Sequence, residues 1–150
     1  MDIALKLDPD EADVRAVRDG LIAFNRKASG REAGWQPFAV HLNDPTSGEA
    51  VGGITGFTTF DWVFVELFHI PEHLRGQGHG RALMAKVEAF GRERGCIGIW
   101  LDTFSFQARP FYEKLGFSVF GTLEDHPIGG RRYFMSKRLD AANALENDNG

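Results

Sequence analysis

The residues best placed to do chemistry are a run of glycines behind a basic side chain, Arg75-Gly76-Gln77-Gly78-His79-Gly80. Upstream, Val63 to Ile70 has the composition of a strand and is stopped by Pro71; downstream, Arg81 to Arg94 has the spacing of an amphipathic helix. A strand that turns through glycines into a helix leaves the first helical N–H groups without acceptors, at the end where the helix dipole is positive. The missing side chains let an anion approach those amides, so the stretch reads as a phosphate cradle; the plain alternative is an ordinary strand-to-helix turn. Spacing narrows the phosphate. A dinucleotide loop requires Gly-x-Gly-x-x-Gly, and counting from Gly76 the third glycine falls on Arg81. A mononucleotide loop requires a lysine after its glycines, and none follows here.

What the run does fit is [Arg/Gln]-x-x-Gly-x-[Gly/Ala], led in by Pro71-Glu72-His73-Leu74. In this it resembles the acetyl-CoA signature of the GCN5-related N-acetyltransferase (GNAT) family. A second stretch, Gln107-Ala-Arg-Pro-Phe-Tyr-Glu-Lys-Leu-Gly-Phe117, is similar to the same family's Ala-x-x-[Phe/Leu]-Tyr-x-x-x-Gly-Phe. The resemblance is strong from about Val63 to Phe120 and weak before residue 50. Where many members carry Asn three residues before the alanine, this chain has Ser105, which also forms hydrogen bonds.

The resemblance implies an α/β protein. Its mixed, mostly antiparallel sheet of about six to seven strands is flanked by helices and splayed at the centre, between the central strand and Ile97 to Leu101. Acetyl-CoA, the co-substrate, would lie in that V-shaped opening, and no metal is implied. Its pantetheine arm would pair with the backbone of Phe68, His69 and Ile70. Its pyrophosphate would rest on the amides from Gln77 to Arg81, with Arg75, Gly76, Gly78, His79, Gly80 and Ser105 completing the set. For Arg75 a solvated surface arginine is the competing reading.

Acetyl transfer to an amine requires a neutral amine, a donor for the oxyanion and a proton for the departing thiolate. Glu66 is the candidate base. It stands in Trp62 to Ile70, a run apolar on both faces, and a carboxylate in a dry cleft has its pKa raised towards neutrality. An exposed or ion-paired glutamate is the alternative. By strand alternation His69 points away from Glu66 and reads as a sheet histidine whose main-chain N–H could serve the oxyanion. Tyr112 matches the family tyrosine, implied to be the acid: a phenol with a pKa of ~10 is protonated at neutral pH and can serve a thiolate whose conjugate acid lies near ~8.5. The competing reading is an aromatic anchor beside Phe111. Asp102, at a strand's end, is a reserve base or a loop cap. Cys96 follows the helix-stopping Gly95 with no His-Asp pair adjacent, so direct attack in a ternary complex is favoured over an acetyl-cysteine.

The elements that must carry these groups can be read in order. Ile3 to Leu7 alternates as a first strand. Asp8-Pro9 starts a helix bearing Val14, Val17, Leu21 and Phe24, ended by Gly30. Residues 31 to 35 read as loop. Pro37 to Leu42 and Ala50 to Phe60 are antiparallel strands, and Asp61-Trp62 returns the chain to the central strand. After the cradle helix come a buried strand from Cys96 to Leu101, a short helix with Phe111 and Tyr112, and a last pair of strands, Phe117 to Leu123 and Arg132 to Leu139, around Gly129-Gly130. From about 140 to 150 nothing apolar remains to bury, and a flexible tail is expected.

Composition bounds the rest. With 150 residues and 43% hydrophobic content, one domain spanning 1–150 with its own core is expected. A net charge of -4 without basic clusters argues against a nucleic-acid partner. One cysteine makes no internal disulfide, and no apolar run approaches the roughly 18 residues of a membrane span. The first residues lack the basic and apolar segments of a signal peptide, so a cytoplasmic location is expected. The acceptor is expected to be a small-molecule amine or a peptide or protein amine. Asn25, Arg26, Arg31 and Trp35 are candidate walls, as are Glu124 and Asp125, whose charge would favour a cation or simply be solvated. A homodimer is compatible with this build. Two other readings remain, a CoA-binding regulatory module without catalysis and, less favoured, a nucleotide-binding α/β domain.

Overall fold

The computed structural model describes residues 1–140, so the expected tail beyond Asp140 lies outside the described residues. The chain divides into two compact units, Met1–Ala33 and the residues from Gly34 onward. In the first, α1 spans Glu11–Ser29. Its cap is Asp10, not Asp8. The Asp10 carboxylate accepts from the Asp13 N–H at 2.9 Å while the Asp13 carboxylate accepts from the Asp10 N–H at 3.2 Å, a reciprocal pair that satisfies two amides at once. Asp8 stands in a left-handed turn at φ 51. Gly30, at φ 72, closes the helix by donating to Arg26 O at 3.0 Å. The strand expected at Ile3 to Leu7 does not form. Alternation prepares a strand, but a ladder partner makes one, and among the described residues none pairs with this segment.

Among the described residues the second unit has a six-stranded sheet, two α-helices and a 3-10 turn. Its strands are β1 (Gln36–Asn43), β2 (Ala50–Thr59), β3 (Trp62–His69), β4 (Gly98–Phe104), β5 (Ser118–Glu124) and β6 (Arg131–Arg138), in spatial order β1-β2-β3-β4-β6-β5. Every pairing is antiparallel except β3 with β4. That parallel pair needs a crossover, supplied by α2 (His79–Glu93). α3 (Arg109–Lys114) connects β4 to β5.

Burial follows strand alternation: Val63 and Val65 of β3, Ile99, Leu101 and Thr103 of β4 and Met135 of β6 join Leu83, Met84 and Val87 of α2 in one core. The other face carries aromatic residues, with Phe64 stacked on Trp100 at 4.2 Å between ring centres. The phase of β3 slips once. Gly56 pairs with Val65 and Thr55 with Leu67, leaving Glu66 as the extra residue of a β-bulge. Before the bulge odd positions face the core; after it Phe68 and Ile70 do, while Glu66, Leu67 and His69 are exposed. Glu66 and His69 therefore share a face, against the expectation from simple alternation.

Beside the bulge the strands approach closely. A Cβ at Gly56 would lie 2.0 Å from Phe64 O, whereas one at Gly121 on the edge strand would meet nothing nearer than Phe134 Cβ at 4.0 Å. In urea unfolding, Gly56→Ala is expected to cost about 2 kcal/mol or more. Gly121→Ala should be neutral or slightly stabilising by comparison. Equal midpoints for the two variants would contradict the close approach of β2 to β3.

Candidate functional site

The site begins where β3 and β4 separate. They are in register only at Trp62–Gly98, Val63–Ile99 and Phe64–Trp100. Beyond these pairs β3 stays bonded to β2 as far as His69, and β4 to β6 as far as Phe104. The facing edges past Phe64 and Trp100 thus have no strand partner among the described residues, and their backbone groups are available to an extended ligand. Phe68, His69 and Ile70 lie on that diverging half of β3. Phe68 is half-buried, with its ring edge-on to Phe111 and Tyr112, and His69 is exposed. Ile70 O accepts from Arg75 Nε at 2.9 Å. The Arg75 guanidinium is thereby folded back onto the strand end and orders the loop.

From Pro71 the chain makes a 3-10 turn over Glu72–Leu74 and passes through Gly76 and Gly78, at φ 75 and 84, left-handed values that glycine adopts without strain. Gln77 Nε2 donates to His73 O at 3.1 Å. α2 then starts with no side-chain cap and no acidic residue in its first turn. Ala82 N–H bonds Gly78 O at 3.1 Å, so the amides of His79, Gly80 and Arg81 precede the first intrahelical bond. Gly80 is buried, and a Cβ there would lie 2.9 Å from Phe111 Cζ and 3.3 Å from Ile70 Cδ1. This glycine brings the helix start against α3 and the end of β3, a packing role that the motif alone does not reveal.

Tyr112, on α3, packs beside the diverging half of β3. It is 8% exposed, with its ring edge-on to Phe68, Phe111 and Phe117. Burial, helped by the negative charge of Asp102 on β4, pushes its phenol up to about 12. Asp102 is held by Arg132, with Nε to Oδ1 at 2.9 Å and Nη2 to Oδ2 at 2.8 Å. Arg132 itself lies over the Phe104 and Phe134 rings, 5.3 Å from each. Asp102, considered as a reserve base, is thus the partner of an arginine through two charge-assisted bonds. Glu66, expected in a dry apolar run, is instead exposed on the bulge. Cys96 is half-buried, and its thiol is pushed up mainly by desolvation, against the thiolate character a nucleophile needs.

Ser105 is occupied by the neighbouring hairpin: its Oγ accepts from Arg131 N–H at 3.1 Å and its own N–H donates to Arg131 O at 2.8 Å. Glu124 is paired with Arg131 at 2.9 Å, and Asp125 accepts from Gly129 N–H at 3.1 Å, so the acidic tip is partly neutralised. Together with Tyr133 these groups line a cavity of about 260 Å³. Trp35 is exposed just before β1. Asn25, Arg26 and Arg31 belong to the first unit, where Arg26 pairs with Glu32 at 2.6 Å. Among the described residues no cluster of side chains has the makings of a metal site.

Comparison with known proteins agrees with this geometry. The profile of the Acetyltransferase (GNAT) family matches residues 10–117. The chain is 33% identical over 139 residues to Acetyltransferase Atu2258 of Agrobacterium fabrum, covering 93% of this chain and 100% of that protein. It is 37% identical over 93 residues to the Blasticidin-S acetyltransferase of Streptomyces morookaense, covering 61% of this chain and 68% of that one. The crystal structure of an acetyltransferase from Agrobacterium tumefaciens superposes with a TM-score of 0.86 at 32% identity, over 92% of this chain and 99% of that one. A splayed sheet, an uncapped helix start behind glycines and a family profile spanning most of the chain converge: the chain belongs to the GNAT family of acetyltransferases.

Proposed function

We propose that the protein transfers the acetyl group of acetyl-CoA to a primary amine by direct attack within a ternary complex. The observation that carries this reading is the juxtaposition of an unpaired strand edge with the uncapped start of α2, both beside a buried tyrosine. The open edge at Phe68, His69 and Ile70 suits an extended pantetheine, which carries alternating amide donors and acceptors. The amides of Gln77 to Arg81, through Gly78, His79 and Gly80, suit the pyrophosphate. Arg75 and Gly76 shape the loop that presents them. Ser105, committed to the hairpin, supports the end of β4 and contributes to the coenzyme site indirectly.

In the reaction the amine nitrogen attacks the thioester carbonyl, the C–N bond forms as the C–S bond breaks, and the amine loses a proton. The main-chain N–H of His69 is assigned to the developing oxyanion. Glu66, exposed at the bulge, takes the amine proton through water. The environment of Tyr112 refines its role. Burial raises the phenol and so weakens it as an acid, which disfavours complete proton transfer to a thiolate whose conjugate acid ordinarily lies near ~8.5. Tyr112 therefore acts as a hydrogen-bond donor that stabilises the leaving sulfur, and the proton that Glu66 takes from the amine is passed on through water to the thiolate, which leaves as the thiol. The acceptor is a small-molecule amine or a peptide amine, a class consistent with the small molecule named for the Streptomyces relative, blasticidin S.

Three measurements test this reading. Acetyl-CoA at a hundred times its Kd should stabilise the folded chain by about 2.7 kcal/mol in thermal unfolding, with NAD and ATP inert; a response to NAD or ATP alone would reverse the assignment, and CoA binding without thiol release over a broad amine panel would leave a regulatory module. Tyr112→Phe is expected to lower kcat by roughly 10- to 100-fold with little change in KM for acetyl-CoA, while Cys96→Ala turns over nearly normally. Near-normal turnover of the Tyr112 variant would refute its role.

Alkaline stability gives the third. Because the Tyr112 phenol rises from its ordinary 10 to about 12 on folding, the folded chain keeps a proton between those values that the unfolded chain has released. This contribution is complete below pH ~10 and disappears as pH rises through ~12. Over that window the unfolding free energy of the parent should fall by roughly 1.4 kcal/mol per pH unit more steeply than that of Tyr112→Phe. Parallel slopes would mean that the ring is not sheltered.

A further inference from the structure

α3 has only six residues, too few to hold its own orientation, and Ala108 at its N-cap provides no side-chain cap. What fixes its start is a closed set of bonds to the end of β4. Thr103 Oγ1 accepts from Ala108 N–H at 3.4 Å and donates to Gln107 Oε1 at 3.3 Å. The same Gln107 oxygen accepts from Phe104 N–H at 2.8 Å, and Gln107 N–H donates to Phe104 O at 2.9 Å. Thr103 is 2% exposed in the core-facing row of β4, so its hydroxyl is a buried polar group in a position where valine would pack equally well. At the other end of the helix, Tyr112 O accepts from Leu115 N–H at 3.0 Å and from Phe117 N–H at 3.1 Å. Tyr112 is thus held in a segment tied at both ends.

We propose that Thr103 and Gln107 are positioning residues for Tyr112, their bonds locking the turn from β4 into α3 so that the phenol is held beside the diverging half of β3. The inference rests on the acyl-transfer reading for its effect on rate, but the lock itself is a property of the chain. Neither side chain needs to touch a substrate. Displacing a catalytic group by about 1 Å is sufficient to lower a rate on the order of 100-fold.

The test compares Thr103→Val and Gln107→Ala, which remove the bonds, with Thr103→Ser and Gln107→Glu, which retain an oxygen at each place. In amine acetylation the first two should lose roughly 10- to 100-fold in kcat with KM for acetyl-CoA within about twofold, and the second two should recover most of it. In a Tyr112→Phe background, Thr103→Val should cost nothing further, because a residue acting through Tyr112 has nothing left to position. An equal loss in both backgrounds, or no loss in the parent background, overturns the proposal.

A second readout is independent of turnover. The chain has two tyrosines, so in a Tyr133→Phe background ultraviolet absorbance reports Tyr112 ionisation alone. Over the pH range where circular dichroism shows a folded chain, Thr103→Val and Gln107→Ala should ionise at a lower pH than their parent, as loosening admits water to the phenol. Unchanged titration in both variants overturns the lock. Should the parent acetylate no amine, the acyl-transfer reading fails by that result while this titration still decides the positioning.

Discussion

Two strands that pair in parallel for three residues and then separate are the constraint on which the rest of this protein depends. β3 and β4 part after Phe64 and Trp100, and past that point, among the described residues, each keeps only its other neighbour, β3 pairing with β2 and β4 with β6. Beside the diverging half of β3 a set of aromatic rings packs edge-on: Phe68 from β3, Phe111 and Tyr112 from α3, and Phe117 just beyond. Edge-to-face packing among these rings makes the opening a stable feature of the fold. An open strand edge is ordinarily a liability, since it invites pairing with another chain. Here it lies inside the sheet, between flanking strands.

The bulge at Glu66 belongs to the same construction. One extra residue against β2 changes which side chains of β3 face the core, so that Phe68 turns inward to meet α3 while Glu66, Leu67 and His69 turn outward. Without that slip Phe68 would point to the other face, and Tyr112 would lose one of the rings that bury it. The electrostatics follow from the packing. Burial raises the Tyr112 phenol, and Asp102 is held by Arg132, flanked by two phenyl rings, through two bonds. Glu66, by contrast, stands exposed on the bulge.

The glycine-rich loop shows how one motif serves two purposes. Gly76 and Gly78 supply left-handed turns, whereas Gly80 has no unusual dihedral and is required by contact, with Phe111 and Ile70 closing on its α-carbon. The loop arginine is part of this architecture, since its Nε secures the last carbonyl of the strand. Helix α2 then presents amides without a competing cap, and the absence of acidic residues from its first turn leaves the dipole unopposed.

Much of this was legible in the chain itself. Glycine and proline punctuation marked the strand, turn and helix around Arg75 to Gly80, hydrophobic period located six strands and three helices to within a few residues, and the spacing of two motifs pointed to the family, because these signals are local and backbone geometry enforces them. Local signals failed where a partner decides. Ile3 to Leu7 alternates correctly yet forms no strand, and Asp10 outcompetes Asp8 as a cap because it alone has Asp13 to reciprocate. Alternation placed Glu66 and His69 on opposite faces, and only the register against β2 reversed this. Likewise only the fold shows that the Ser105 hydroxyl accepts from an amide 26 residues away. The sequence by itself determined which elements form and which residue types line the cradle, since those depend on neighbours along the chain. Tertiary structure alone decided the exposure of Glu66, the capture of Asp102 and the burial of Tyr112, because each is set by contacts between strands that only folding brings together.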